Sequence, residues 1–389
     1  MYWSEIDPMV KLTIQKDALN TAIDHVSKAI SNHTTIPILS GIKLDATSQG
    51  VLLTASDTDI SIQSFIPIEQ NDEKIIEIEK PGSIILPAKF IIELIKKLPS
   101  NHVEIETTNH FQTNIRSDSI DLQIAGLDPE EYPLLPQLQE NNMISISSHA
   151  LKAMIKQTVF AVSTDESIPV LTGILCKFSN NQLKFVATDR HRLASKEIEL
   201  TQNVSTQFHD VVIAGKTMNE LYKLLPDENE PIDVVVTESQ VLFKIDRVLF
   251  YTRILDGTYP DTSKIIPQAY KTELILNTKL LTDAIDRAYL LSREERTNIV
   301  QLKTIEDHTI EISSSSDQLG KIREQLQVTA MNGEMLKISF NAKYMLDALK
   351  NINNETIQIG FTGAMSPIII KPQNSASILY LILPYRTVQ

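Results

Sequence analysis

Three lysines spaced 127 residues apart constrain this chain more than any other feature. Lys89, Lys216 and Lys343 open the segments KFIIELIKKLP, KTMNELYKLLP and KYMLDALKNIN. In each, an acid follows four residues on (Glu93, Glu220, Asp347) and a second lysine three beyond it (Lys96, Lys223, Lys350). The apolar positions keep the same step: Ile91, Leu94, Ile95 and Leu98; Met218, Leu221, Tyr222 and Leu225; Met345, Ala348, Leu349 and Ile352. At about 100° per residue those positions gather on one side of a helix, with the lysines and the acid opposite. A chain that repeats itself in this way folds as copies of one unit.

Two further markers share the period. Gly41 and Asp57, in SGIKLDATSQGVLLTASDTDI, have the spacing of Gly173 and Asp189 in TGILCKFSNNQLKFVATDRHR. Gln301 and Asp317 are expected to be their counterparts in the third copy, where the glycine is lost. An earlier helix recurs as ALNTAIDHVSKAI, ALKAMIKQTVFAV and LLTDAIDRAYLLS, aligned at Ile23, Ile155 and Ile285. Between the helices VEIET, IDVVV and IQIGF alternate with period two, and SQG, SNN and EDH mark turns, as in short antiparallel strands. Each copy therefore reads as an α+β unit with helices on one face of its sheet. Polar turn residues at 137–147 and 267–271 place the joints, giving copies over 9–137, 138–268 and 269–389.

Composition narrows the function. The net charge of −13 argues against nucleic-acid binding unless positive charge is gathered on one surface. It is gathered: predicted helices over 17–30, 88–98, 149–161, 215–225, 278–291 and 342–352 hold 12 Lys/Arg against 7 Asp/Glu, leaving the remainder at −18. The lysines of this surface are Lys28, Lys89, Lys96, Lys152, Lys156, Lys216, Lys223, Lys343 and Lys350. Six helices of one repeat, facing inward, would form a collar about 18 Å deep. Such a collar spans on the order of ten phosphates of duplex DNA, met through the backbone rather than the bases. The single Cys176 rules out an internal disulfide and a multi-cysteine zinc site, and reads as a buried small apolar residue. The N-terminus lacks the pattern of a secretory signal and no apolar run is long enough to span a bilayer, so a cytoplasmic protein is expected.

With those residues assembled, the chain resembles the bacterial DNA polymerase III beta subunit family, the sliding clamps, in its Gram-positive form. The motifs that carry the resemblance include KLTIQKDAL, TTIPILSGIKL, LDPEEYPLLPQ, ATDRHRLAS, ILDGTYPDTS, NAKYMLDALK, FTGAMSP and LILPYR, from about Met9 to the C-terminus. The resemblance implies three clamp domains per chain, antiparallel sheets outside and two helices per domain lining a ring. It also implies a head-to-tail homodimer around duplex DNA that is loaded by a clamp loader. The ring would tether the replicative polymerase and other proteins carrying a clamp-binding motif, without cofactor, metal or catalysis.

A peptide-binding cleft is implied by the same resemblance. ATDRHRL supplies Thr188, Arg190, His191, Arg192 and Leu193, with Leu171 from SIPVLTG. TYPDTSKII supplies Pro260 and Ile265, NAKY Asn341 and Tyr344, and GAMSP Met365 and Pro367. The tail gives Leu381, Leu383, Pro384, Tyr385 and Arg386. Aliphatic residues would take an anchoring side chain while Arg, His and Asn orient the peptide. The dimer contact maps to Leu122 and Ile124 on one side and Leu290 and Leu291 on the other. The chain departs from the pattern at His33 and Ile168, where relatives usually carry Arg, at Arg190, usually small, and in the leading MYWSEIDP.

Two other readings compete. A hydrolytic group of Asp189, His191 and Cys176 lacks the glycine-rich loop or nucleophile elbow that would accompany it. A repeat scaffold that binds only proteins leaves the division of charge unexplained.

Overall fold

The computed structural model describes residues 9–31, 34–135, 143–179, 181–200 and 209–386. Among the described residues six α-helices recur in pairs: α1 (Lys16–Val26) and α2 (Ala88–Lys97), α3 (Ser148–Lys156) and α4 (Gly215–Leu224), α5 (Thr278–Glu294) and α6 (Ala342–Leu349). Their apolar stripes are buried as the spacing predicts, through Ile91, Ile95 and Leu98, through Met218, Leu221 and Leu225, and through Met345, Ala348, Leu349 and Ile352. The fifth helix runs three residues beyond its predicted end at 291.

Each helix follows one strand and precedes a meander of three, so every copy is a strand–helix–three-strand unit used twice. The leading strand does not join its own meander. Val10–Gln15, which leads into α1, pairs with His102–Thr107 after α2, while Gly82–Pro87, which leads into α2, pairs with Gly41–Thr47 after α1. The second and third copies exchange leading strands in the same way.

The described residues pack into two compact units, those within Met1–Ser148 and Lys223–Ile254 and those within His149–Tyr222 and Leu255–Gln389, which divide the middle copy. The cause is visible in the sheets. In the first unit, Val248–Arg253 of the middle copy pairs with Ile60–Pro67 of the first, making one eight-stranded sheet beside a five-stranded one. In the second unit, Arg192–Glu199 of the middle copy pairs with Ile378–Ile382 of the third, making a nine-stranded sheet beside a four-stranded one. Buried residues alternate along these strands, as in Ile60, Ile62, Ser64 and Ile66.

The third copy corrects one sequence marker. Gly41 pairs with Pro87 and Gly173 with Ala214, the residues that lead into α2 and α4. Asn341, which leads into α6, pairs with Ile299, not Gln301. Likewise, the Asp57 carboxylate accepts the amides of Asp59 and Ile60, and that of Asp189 the amides of His191 and Arg192. In the third copy the hydroxyl of Ser316, not Asp317, accepts the amides of Gln318 and Leu319. The longer turn at Glu306–His308 shifts the strand and makes the Gln301–Asp317 spacing a coincidence. Close approach explains the two glycines: a Cβ on Gly41 would stand 2.3 Å from the Ile85 side chain, and one on Gly173 2.6 Å from that of Val212. No helix among the described residues is long and apolar enough to cross a membrane.

Candidate functional site

The second unit gathers the expected cleft residues from six segments. The turn Thr188–Arg192 is built by its own side chains. The Thr188 hydroxyl donates to the Arg192 carbonyl at 2.6 Å, and Asp189 holds the amides of His191 and Arg192. Arg190 lies in the left-handed region at φ 75°, a conformation that costs a non-glycine residue on the order of 1 kcal/mol. Its amide donates to the Thr188 hydroxyl, and its guanidinium lowers the Asp165 pKa, after the larger effect of hydrogen bonds from Ser167.

Arg192 is the keystone. Its side chain is only 11% exposed. It donates to Asp189 at 3.0 Å and to Asp347 at 2.6 Å, with the guanidinium 4.5 Å from the Tyr344 ring centroid and 5.5 Å from that of Phe160. A planar fork between two carboxylates and two rings is a task lysine cannot perform. Burial, followed by the nearby Asp189, pushes the Tyr344 phenol up from its ordinary value. His191, exposed, stacks on Tyr344, the ring centroids 6.4 Å apart.

Beneath the turn lies an apolar bed of Val170, Leu171, Leu175, Val186, Leu193, Val212, Ile369 and Leu381. Tyr259 packs against it and accepts the Thr188 amide, and burial pushes its phenol pKa up. Leu171, Leu193 and Leu381 were expected here. Val170, Leu175, Val186, Val212 and Ile369 were missed, because an apolar strand residue looks the same in sequence whether it faces a cleft or a core.

Exposed side chains rise around the bed: Ile265, Met365, Leu383 and Tyr385 are 39–54% exposed. Pro260 and Arg386 are also exposed, Pro367 and Pro384 half-buried. The tail is docked by its backbone, Leu383 donating to the His191 carbonyl and Tyr385 to that of Ser339, with Pro384 bridged to Phe340. Asn341 has a local duty: its side chain caps α6 by accepting the amides of Lys343 and Tyr344. Thr188, Arg192 and Asn341 thus hold the site together, while His191, Met365, Leu383 and Tyr385 present surface.

The competing hydrolytic group does not assemble. Asp189 is engaged by the turn and Arg192, His191 is stacked on Tyr344, and Cys176 is buried, its thiol pKa pushed up by burial.

Seven of the nine lysines are exposed: Lys89, Lys96, Lys156, Lys216, Lys223, Lys343 and Lys350. Lys28 and Lys152 are half-buried; Lys152 lies 5.9 Å from the Tyr222 ring centroid, and Lys96 pairs with Asp24 at 3.1 Å. Leu122 and Ile124 sit on the strand Ile120–Ala125, which among the described residues has a neighbour on one side only. Leu290 and Leu291 sit on α5, Leu290 more than half exposed. Ile168 is exposed at the start of the Pro169–Thr172 turn; His33 and residues 1–8 lie outside the described residues.

Paired helices backed by meanders with exchanged leading strands, in three copies joined edge to edge, define a clamp fold. The family models for the N-terminal, central and C-terminal domains of the DNA polymerase III beta subunit match residues 10–136, 145–261 and 263–386. The beta sliding clamp of Bacillus subtilis is 50% identical over 378 residues, covering 97% of this chain and all of the relative. That of Staphylococcus aureus is 44% identical over 379 residues, with 97% and 100% covered. The crystal structure of the Bacillus subtilis clamp superposes with a TM-score of 0.96 over 98% of this chain and all of that one. The Streptococcus pneumoniae beta chain, 34% identical, gives 0.93 over 97% of this chain and all of that one. The chain belongs to the DNA polymerase III beta subunit family, the bacterial sliding clamps.

Proposed function

We propose that two copies of this chain join head to tail in a ring around duplex DNA and tether the replicative polymerase and other proteins carrying a clamp-binding motif. The chain acts in the cytoplasm as a processivity factor, without cofactor or catalysis. Its three domains span 9–137, 138–268 and 269–389, and a separate clamp loader opens the ring. The exposed lysines on the paired helices meet DNA phosphates, and the bed around Leu171, Leu193 and Leu381 takes the anchoring side chain of a partner peptide.

The observation that carries this reading is the pattern of sheet edges. Six meanders have six outer edges, and four of them are joined in pairs, Ile60–Pro67 to Val248–Arg253 and Arg192–Glu199 to Ile378–Ile382. Each seam joins the first meander of one copy to the second meander of the next. The edges left over are Ile120–Ala125, from the second meander of the first copy, and Gly320–Gln327, from the first meander of the third. They complete the same rule only between chains, and an unpaired edge is a hazard that proteins cover. A contact between unlike surfaces that closes makes a ring.

The test is topological. Protein loaded onto nicked circular DNA with a matching loader and ATP should survive a high-salt wash, and should be lost when the circle is linearised. Equal loss from circle and line after confirmed loading would mean ordinary surface binding and sink the ring.

A further inference from the structure

The two seams within the chain are built alike but filled differently, and the difference opens a cavity beside the first. In the second seam Lys196 reaches across to the Ser377 hydroxyl at 2.9 Å, and Gln157 reaches the Asn351 carbonyl at 3.4 Å. Ser64 holds the place of Lys196: it pairs with Val248 as Lys196 pairs with Ile378, so Arg247 holds the place of Ser377. His25 holds the place of Gln157, each nine residues after the first of its helix. Instead of reaching across, the His25 ring turns to Ser64, Nδ1 standing 3.1 Å from Oγ. A serine in place of a long lysine leaves a cavity of about 570 Å³, lined from α1, the end of α4, Ser64–Pro67 and the turn Ile245–Val248. All of it lies within the first compact unit. The volume falls in the range of about 300–1,000 Å³ usual for small-molecule sites.

The cavity has a neutral floor, aliphatic walls and an acidic mouth. Ser64 is buried and His25 half-buried, and burial, followed by the nearby Lys28, lowers the His25 pKa, so the imidazole is neutral at pH 7. Bonded to each other, the two side chains set no charge at the floor. Ala18, Ile66, Ile75 and Val248 stand among the walls. Asp17, Glu230 and Asp246 line the cavity and are exposed, and among the described residues none of the three is ion-paired. Arg247, the one arginine or lysine of the lining, is engaged by Gln70, its Nη1 donating to Oε1 at 3.1 Å. We propose that this cavity binds a small organic cation, an amidinium, guanidinium or ammonium group carried on an apolar body. The body packs on the aliphatic walls, while the cation stays at the mouth among the carboxylates, which avoids the cost of burying a charge. An anion of the same shape meets three like charges there, and a neutral isostere gains no charge pairing.

Benzamidinium is the probe, titrated into the full chain while the His25 ring protons are followed by NMR. It should bind saturably and at least tenfold more tightly than neutral benzamide, and benzoate should not compete. Ser64→Lys with Arg247→Ser, which copies the Lys196–Ser377 pair of the second seam into the first, should abolish binding. Glu230→Gln with Asp246→Asn, both at exposed positions, should weaken it at least fivefold with the melting temperature unchanged, which keeps the test valid should the filled variant fail to fold. A capped Leu-Arg-Leu tripeptide separates two sources of the same chemistry. Tighter binding than benzamidinium would assign the cation to an arginine side chain of a partner protein, and weaker binding to a free molecule. Equal affinity for benzamidinium and benzamide, no saturable binding, or binding that survives the charge-removing pair would overturn the proposal. The assay needs neither ring nor DNA, so its outcome is independent of the function proposed above.

Discussion

Arg192, expected to orient a peptide, has its side chain engaged within the fold. The family resemblance gives that expectation, through ATDRHRL, yet the guanidinium is engaged by Asp189, Asp347 and the rings of Tyr344 and Phe160. Removing it would strand two carboxylates, one of them only 13% exposed. Arg192→Ala is expected to cost about 3 kcal/mol in urea unfolding, since breaking a buried pair leaves its partner charge uncompensated. Arg192→Lys should recover less than half, because an ammonium cannot bridge both acids in one plane. His191→Ala should leave stability within about 0.5 kcal/mol, as for an exposed side chain. Its effect should be a weaker titration with a clamp-binding peptide. The opposite pattern would make His191 the structural residue and Arg192 the ligand contact.

At the scale of elements, Asn341 raises the same issue for a helix. As the cap of α6 it fixes the first turn, and with it the Tyr344 ring on which Arg192 and His191 rest. Asn341→Ala is expected to cost about 1 kcal/mol, and Asn341→Asp to restore it, because either oxygen can accept the two amides. A ligand contact made by the amide N–H would instead be lost in both variants with stability unchanged. Helices were the most legible part of the chain, because their apolar stripes and lysines are local patterns that survive triplication. Exchange of leading strands was not legible, since Val10–Gln15 looks equally able to pair with either meander. Choosing His102–Thr107 is a decision made some ninety residues away. The misplaced Gln301 has a local cause: an inserted turn residue lengthens the interval between the true counterparts, Ile299 and Ser316, while Gln301 and Asp317 keep the old spacing by coincidence. In the cleft, Leu171, Leu193 and Leu381 came from resemblance; nothing periodic separates Val212 or Ile369 from ordinary core.

For the whole molecule the open question is how a chain of net charge −13 is held around a polyanion. Charge is segregated: the predicted helices hold 12 Lys/Arg against 7 Asp/Glu, and the remainder of the chain carries −18. Lys89, Lys216 and Lys343 are the sharpest test because each is the second residue of its helix and each is exposed. Replacing all three with Glu reverses charge at six places in the dimer without touching a core residue, so folding should change little. Loss of six phosphate contacts would lower the dependence of binding on salt by about 0.9 per contact in the log–log slope. Loading onto nicked circles at about 0.15 M salt should fall at least tenfold, while dimer sedimentation and affinity for a clamp-binding peptide stay as in the parent. Lys→Arg at the same positions should load normally, which separates loss of charge from loss of shape. If the Glu variant loads as well as the parent, these lysines do not face DNA. The positive surface would then have to lie among the remaining lysines, with Lys156, Lys223 and Lys350 next in line as the exposed ones further along α3, α4 and the end of α6.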